Sequence, residues 1–392
     1  MARNGGRRWR AAACLVVAAA LAACTGTPEP ASSAADDDTT ASPAPSASVV
    51  PGPTAEGNRR LRLTTVARVP LTGLSEVSGL RLSGQRAVVG GCAACGDEAG
   101  AVHEVDLRSG RVRRVAASAY ARGAVLPSGL HGDRLVWLDT EPVAVQFGGR
   151  TRWRLQLLEL GTGRSRTLAA SGRTDRSVPP WAVAGGGQVA WQEWAGDDLA
   201  GRVRVADVGT GVVSLVRDVP GPLGAVSGGA VFFVGASDPD GPGADVGDAE
   251  VPADAYALPL PGGLPARLSA THDVGSVTSD GRTAVWTTPR GLPRAVWAAR
   301  VAGGGGDARI VYRGATSERA VGRDAVAVLT NDDAIVVVAP LEGGPAVIVP
   351  DVPFVPAGLA ADGSRMAWVA APGRDVPVDR RHPLELVVVE VG

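Results

Sequence analysis

One short phrase keeps returning along this chain: a glycine-containing turn, two or three apolar residues and a tryptophan. It reads "GDRLVWLDT" at 132–140, "GGQVAWQEW" at 186–194, "DGRTAVWTT" at 280–288 and "DGSRMAWVA" at 362–370. Counting the aromatic or its substitute, the series runs Val89, Trp137, Trp191, Phe233, Trp286, Ala327 and Trp368. The intervals are 48, 54, 42, 53, 41 and 41 residues. A period of roughly 40–50 residues marks a chain built by repeating one supersecondary unit, each copy burying its apolar face against the next.

A second phrase falls between the copies. "VDLRSGRVRRV" (105–115), "LELGTGRSRTL" (158–168) and "VADVGTGVVSL" (205–215) read as strand, turn, strand, with glycine where the turn needs a positive φ. The stretches at 258–268, 299–311 and 339–349 are looser copies. Each cycle therefore holds two hairpins, and no 3.6-residue apolar period of helical length follows Leu61. The last cycle stops at "LELVVVEVG" (384–392) without its hairpin partner, while an orphan strand, "LRLTTVARV" (61–69), precedes the first. Joining the two completes a sheet from both termini and removes open edges. The expectation is an all-β, seven-bladed β-propeller over 61–392, with four-stranded antiparallel blades and a ring closed by its two ends. Six blades follow if the weak copy at Ala327 is miscounted. The tryptophan series is expected to fill the gaps between blades, with ligand stacking as the other possibility.

"SDGRTAVW" (279–286) and "ADGSRMAW" (361–368) resemble the repeat of TolB-type β-propellers, and the architecture is WD-repeat-like. The resemblance implies a protein-binding platform more than an enzyme.

Residues 1–23 read as a signal peptide: basic Arg3, Arg7, Arg8 and Arg10, then an apolar stretch too short to span a bilayer comfortably. "LAAC" (21–24) resembles the lipobox of bacterial lipoproteins. That resemblance implies acylation of Cys24 and its exposure as the new N-terminus. The basic residues are all Arg, and with the "LAACTG" junction the composition resembles actinobacterial proteins. Residues 24–60 are rich in Pro, Ala, Ser and Thr, a disordered tether of on the order of 30 Å end to end. The expected address is outside the cell, lipid-anchored to the outer face of the cytoplasmic membrane. Removing four Arg and no acid with the signal takes the formal charge from −1 to −5, which argues against nucleic acid as a partner.

The connections after the tryptophan strands (138–152, 192–201, 235–253, 370–383) and those between blades share one end of the ring, and they are the long ones. Elaborated loops on a rigid scaffold are where binding is expected. Candidate ligand contacts there are Trp181 at the channel mouth, Glu193, Trp194, Asp197 and Asp198, and Arg380, Arg381 and His382. The acidic loop 237–254 offers Asp238, Asp240, Asp245 and Asp248 as weak calcium candidates beside Glu250 and Asp254, but without EF-hand spacing. Cys92 and Cys95 are expected to pair as a local disulfide in an exported chain. No nucleophile elbow, zinc motif or phosphate loop is legible, and no cofactor is expected. The favoured reading is a monomeric, non-catalytic platform for a protein or envelope polymer such as a glycan. The alternative is a lyase or glycoside hydrolase with carboxylates gathered at the channel mouth.

Overall fold

The computed structural model describes residues 61–392 apart from 94–96, 143–150, 173–176, 195–200, 238–251, 289–293, 304–306, 332–334, 350–353, 373–377 and 379–381. Residues 1–60, with the signal, Cys24 and the tether, lie outside the described residues. The strands fall into seven four-stranded sheets, each antiparallel and each a meander from the innermost strand outward. Blades 1 to 6 occupy 76–117, 124–170, 181–219, 223–267, 276–313 and 316–348. Blade 7 takes three strands from 354–391 and its outermost strand from Leu63–Leu71.

The turns inside the first hairpins are tight because glycine opens them. Asp362 pairs with Arg365, leaving a two-residue loop in which Gly363 has φ 59°. Its successor Ser364 is not among the residues with positive φ, so only the first loop position needs the left-handed region. That is the requirement of a type II′ hairpin, whose twist matches the strands it joins.

The second strand of each blade is covered on both faces. Arg134–Thr140, Ala230–Ala236 and Arg86–Cys92 are buried at every position after the first. This explains their continuous apolar runs without alternation. Outer strands are half exposed, and in blades 4 and 6 they shrink to Ala266–Arg267 and Val347–Ile348. Short outer strands leave little edge for unwanted pairing.

Seven buried apolar clusters fill the seven gaps between consecutive blades, including the gap between blades 7 and 1. The innermost strands likewise touch in unbroken succession around the axis. Leu63–Leu71 pairs antiparallel with Leu384–Val391, from Leu63 opposite Val391 to Leu71 opposite Leu384. The register slips once, around Val66. Two main-chain hydrogen bonds of 3.0 Å between Arg62 and Gly392 extend the seam to the last residue.

The tryptophans are packing residues. Trp191, Trp286 and Trp368 are at most 1% exposed, and each faces the preceding blade. One member of the series needs correcting. In blade 6 Gly322 and Ala325 flank the turn, as Asp362 and Arg365 do in blade 7. The third residue onward is Trp368 in one case and Val328 in the other. Val328 packs toward blade 5, whereas Ala327 points toward blade 7. The slip has a physical origin. Glycine stands before the two-residue loop in blade 6 but within it in blade 7, so counting from glycine lands one residue short. In a strand, one residue is the opposite face.

Candidate functional site

Second strands end, and innermost strands begin, at the same end of the ring. Connections there span up to sixteen residues between Ala236 and Ala253, while the hairpins at the other end close in two to eight residues. The sequence-predicted candidates distribute over this loop end as follows.

Trp181 opens the innermost strand Trp181–Gly185 of blade 3 and is 40% exposed. It pairs with Gln192, whose buried amide donates to Gly221 O at 3.2 Å. The approach to Trp181 is fixed by a bridge between Thr151 and Ser177 and by the Trp153 indole donating to Ser177 Oγ at 2.8 Å. Val178, 37% exposed, stands three residues before it. A large ring is therefore presented to solvent from a braced segment.

Glu193, half-buried, is engaged by its own blade. Arg204 Nε donates to it at 2.7 Å and the Trp191 indole at 3.4 Å. Trp194 ends the same strand opposite Gly201. His382 is exposed two residues before the strand Leu384–Val391. Asp197, Asp198, Arg380 and Arg381 lie outside the described residues, as do Cys95 and the calcium candidates Asp238, Asp240, Asp245 and Asp248. Cys92 ends a second strand, 8% exposed.

Asp254, grouped with the acidic loop by sequence, is not a loop residue. It lies in the third strand of blade 4 (Ala253–Pro259) and is fully buried. It accepts from Ser269 Oγ at 2.7 Å, Ser237 Oγ at 2.5 Å and the His272 amide at 3.1 Å, and it pairs with Arg267. Asp139 in blade 2 is a second such clasp. It is equally buried and accepts from Ser118 Oγ at 2.5 Å and the Ala119 amide at 3.2 Å, with Arg154 as its ion partner. Each holds the connection between blades against a strand. Beside the second clasp, the Arg152 and Arg154 guanidiniums stand 5.5 and 5.4 Å from the Tyr120 ring centre. Burial is the main cause that raises the Tyr120 hydroxyl above its usual range.

Five carboxylates at this end have an arginine partner within their own blade: Asp139 with Arg154, Glu141 with Arg152, Glu193 with Arg204, Asp254 with Arg267, and Glu385 with Arg68. Glycoside hydrolysis needs two carboxyl groups facing one bond, one of them with a raised pKa. Here each carboxylate is held instead by an arginine of its own blade.

Sequence reasoning missed a different group, Arg81, Glu318 and Arg319 on the innermost strands of blades 1 and 6. The available signal was an arginine inside an otherwise apolar strand, "GLRLS" at 79–83.

The fold is that of a β-propeller, and solved structures share it. The β-propeller domain of the Trilobed protease from Pyrococcus furiosus superposes with a TM-score of 0.56 at 10% identity, covering 82% of this chain and 96% of that one. An oligogalacturonate lyase in complex with manganese gives 0.52 at 13% identity, covering 85% and 96%. TolB from Acinetobacter baumannii gives 0.45 at 12%, covering 74% and 63%. At such identities the likeness shows the fold alone. No family model and no curated protein sequence matches the chain.

Proposed function

We propose that this chain is an exported, lipid-anchored β-propeller of actinobacterial type whose loop end binds a protein or an envelope polymer without catalysing a reaction. The observation that carries the reading is Trp181, a large ring held 40% exposed by a braced segment where the innermost strand begins. Exposed aromatics on rigid supports are the usual anchors of interfaces. The arginine-paired carboxylates favour the same reading over the lyase or hydrolase alternative. Residues 1–23 are the signal that is removed, Cys24 carries the lipid, 25–60 is the standoff, and Cys92 pairs with Cys95.

Two measurements test it. The full-length chain, immobilised, is expected to retain a discrete envelope component, and Trp181→Ala to weaken that retention by about tenfold or more. Equal retention by the variant, or turnover of a glycan in place of retention, overturns the platform. Intact-mass measurement of protein from membranes is expected to show a chain beginning at a lipidated Cys24 with one disulfide. Cys24→Ser is expected to leave an unlipidated, released protein, and a variant that stays membrane-bound removes the anchor.

A further inference from the structure

At the hairpin end, several gaps between blades are laced by one device, and the gap between blades 7 and 1 lacks it. In three gaps an arginine of one blade donates to a carbonyl in the outer hairpin of the next. Arg113 reaches Leu160 O at 3.0 Å, Arg134 reaches Gly209 O at 2.6 Å and Val208 O at 3.2 Å, and Arg309 reaches Leu341 O at 2.6 Å. Leu107 is the matching residue of blade 1, because Leu107, Leu160, Val208 and Leu341 each donate their amide to the first hairpin of their own blade. Arg365 holds in blade 7 the place of Arg134 in blade 2, the first residue of the second strand. It turns instead to the first hairpin of blade 1, donating from Nη1 to Gly84 O at 2.8 Å. Among the described residues, no side chain laces Leu107 O.

An apolar side chain is left uncovered at the same place. The outer strands of blades 1, 2, 3, 5 and 7 each bulge at an apolar residue that the register skips: Val115, Leu168, Val216, Val311 and Val66. A bulge re-aims the side chain it carries. The first four pack into the apolar cluster of the gap ahead of them. Val66 joins neither neighbouring cluster and is 43% exposed. It lines a cavity of about 340 Å3 together with Ala67 and Arg365 of blade 7 and Gln85, Leu107 and Arg108 of blade 1. The matching place between blades 2 and 3, beside Arg134 and Val208, holds about 10 Å3, room for one water at most.

The lining joins two chemistries. Val66, Ala67 and Leu107 are apolar, Arg108 and Arg365 are cationic, and none of the lining residues is an acid. The acids of the adjoining turns are committed elsewhere. Asp106 accepts from the Arg108 and Ser109 amides at 2.9 and 3.0 Å, and Asp362 from the Gly84 amide at 2.6 Å. Glu390, opposite Arg365 in register, accepts from Ser364 Oγ at 3.2 Å. The Gln85 side-chain oxygen, facing blade 7, accepts from Arg365 Nη1 at 3.3 Å and Nη2 at 3.1 Å. With Gly84 O, these contacts use three of the five donors of Arg365 and leave two. Among the described residues, the Arg108 guanidinium has no hydrogen bond and no ion pair. Blades 2 and 3 carry Gly161 and Gly209 where blade 1 carries Arg108, so the hairpin itself does not require an arginine.

We propose that the cavity between blades 7 and 1 binds a small organic anion, a carboxylate or phosphate joined to an apolar group. The oxyanion takes the open donors of Arg108 and Arg365, which fit such groups by geometry as well as charge. The apolar part covers Val66, as protein packing covers the other four bulge residues. A few hundred Å3 with an apolar wall and a few convergent polar groups suits a ligand of this kind. Such a ligand bridges blade 1 to the blade made from both chain ends, so its binding favours the closed ring. The site lies at the opposite end of the ring from Trp181 and stands whether or not the loop end holds a macromolecule.

The test uses the full-length chain and an arginine-specific reagent, phenylglyoxal. Labelling is followed by peptide mass spectrometry with and without saturating hexanoate, hexyl phosphate or inorganic phosphate, at an ionic strength fixed with chloride. The expected result is about tenfold or greater protection of Arg108 by hexanoate or hexyl phosphate, the scale of a charge-assisted contact. The exposed Arg282 should react at an unchanged rate. Protection by hexanoate alone assigns a carboxylate ligand, by hexyl phosphate alone a phosphate, and by both the shared oxyanion chemistry. Protection by neither, equal protection by inorganic phosphate, or equal protection of Arg282 overturns the site. Arg108→Gly supplies a second arm, since it places there the residue that blades 2 and 3 already have. The protecting probe is expected to raise the melting temperature of the parent and not that of R108G. A variant that keeps the full rise overturns the role of Arg108. Should R108G fail to fold, the labelling of the unmodified protein decides alone.

Discussion

Trp368→Ala is expected to remove about 3–5 kcal/mol of stability, read as the shift in urea midpoint of the full-length chain. The ring is 1% exposed and lies between blades 6 and 7, against Ala320, Ala325, Ala327, Met366, Val387 and Val389. Blade 6 presents alanines there, and their small side chains make the space the indole occupies. Without it the cavity faces small residues on short strand backbones that cannot move in to fill it. The strand bearing Trp368 also pairs with Leu384–Val391, which carries the N-terminal strand, so the loss falls on the blade made from both chain ends. Trp368→Phe should cost much less, about 1–2 kcal/mol, because the buried indole N–H has, among the described residues, no hydrogen-bond partner to lose. Trp181→Ala serves as the exposed control, within about 0.5 kcal/mol of the parent. If W368A costs no more than W181A, the repeated tryptophan is not what holds neighbouring blades together.

The periodic part of this fold is readable in the sequence because the same physical needs recur in most of the blades. A two-residue hairpin needs a residue that tolerates positive φ, and the gap behind a second strand is filled by a large flat side chain. Both leave the same letters at the same spacing. The reading fails where the letters are ambiguous. In "VGRDAVAVL" (321–329) every candidate for the tryptophan place is small and apolar, and only the turn pairing of Gly322 with Ala325 selects Val328 over Ala327. It also fails where a residue serves one place only. Asp139 and Asp254 stand on different strands of their blades, the second and the third, so the two clasps share no motif. Arg81 and Glu318 come from strands more than two hundred residues apart in sequence, and only the ring brings Arg81 within electrostatic reach of Glu318. Trp181 stands directly after "VPP" and ahead of the apolar run "AVAG", and that place in the cycle is what puts it at the head of an innermost strand.

The same distinction between repeated packing and singular clasps decides where acid should act. Asp254→Asn is expected to lose about 2–4 kcal/mol at neutral pH. The carboxylate ties together four parts of blade 4 and its exit: Ser237 after the second strand, its own third strand, Arg267 on the outer strand, and the main chain of His272. His272 takes φ 56°, a conformation a non-glycine residue adopts only when held, and Asp254 holds it by accepting from its amide. An asparagine keeps the shape but turns one acceptor into a donor, facing a serine hydroxyl and a guanidinium that both need acceptors. The estimate stays below that of a fully buried pair because Arg267 remains 37% exposed. Burial is the largest single influence on this carboxyl and opposes its ionisation. The Ser237 and Ser269 hydroxyls, the His272 amide and Arg267 together outweigh it, so its pKa is lowered. A depressed folded value means the contribution is complete above the unfolded value of about 3.9 and disappears as pH falls through the lower folded one. The stability gap between parent and D254N should therefore be constant from neutral pH down to about 5 and narrow below about 4, as the parent's own carboxyl is neutralised. Urea midpoints of both proteins across that range measure it. A gap that is already absent at neutral pH, or that widens on acidification, would mean Asp254 does not hold the connection between blades 4 and 5 as a carboxylate.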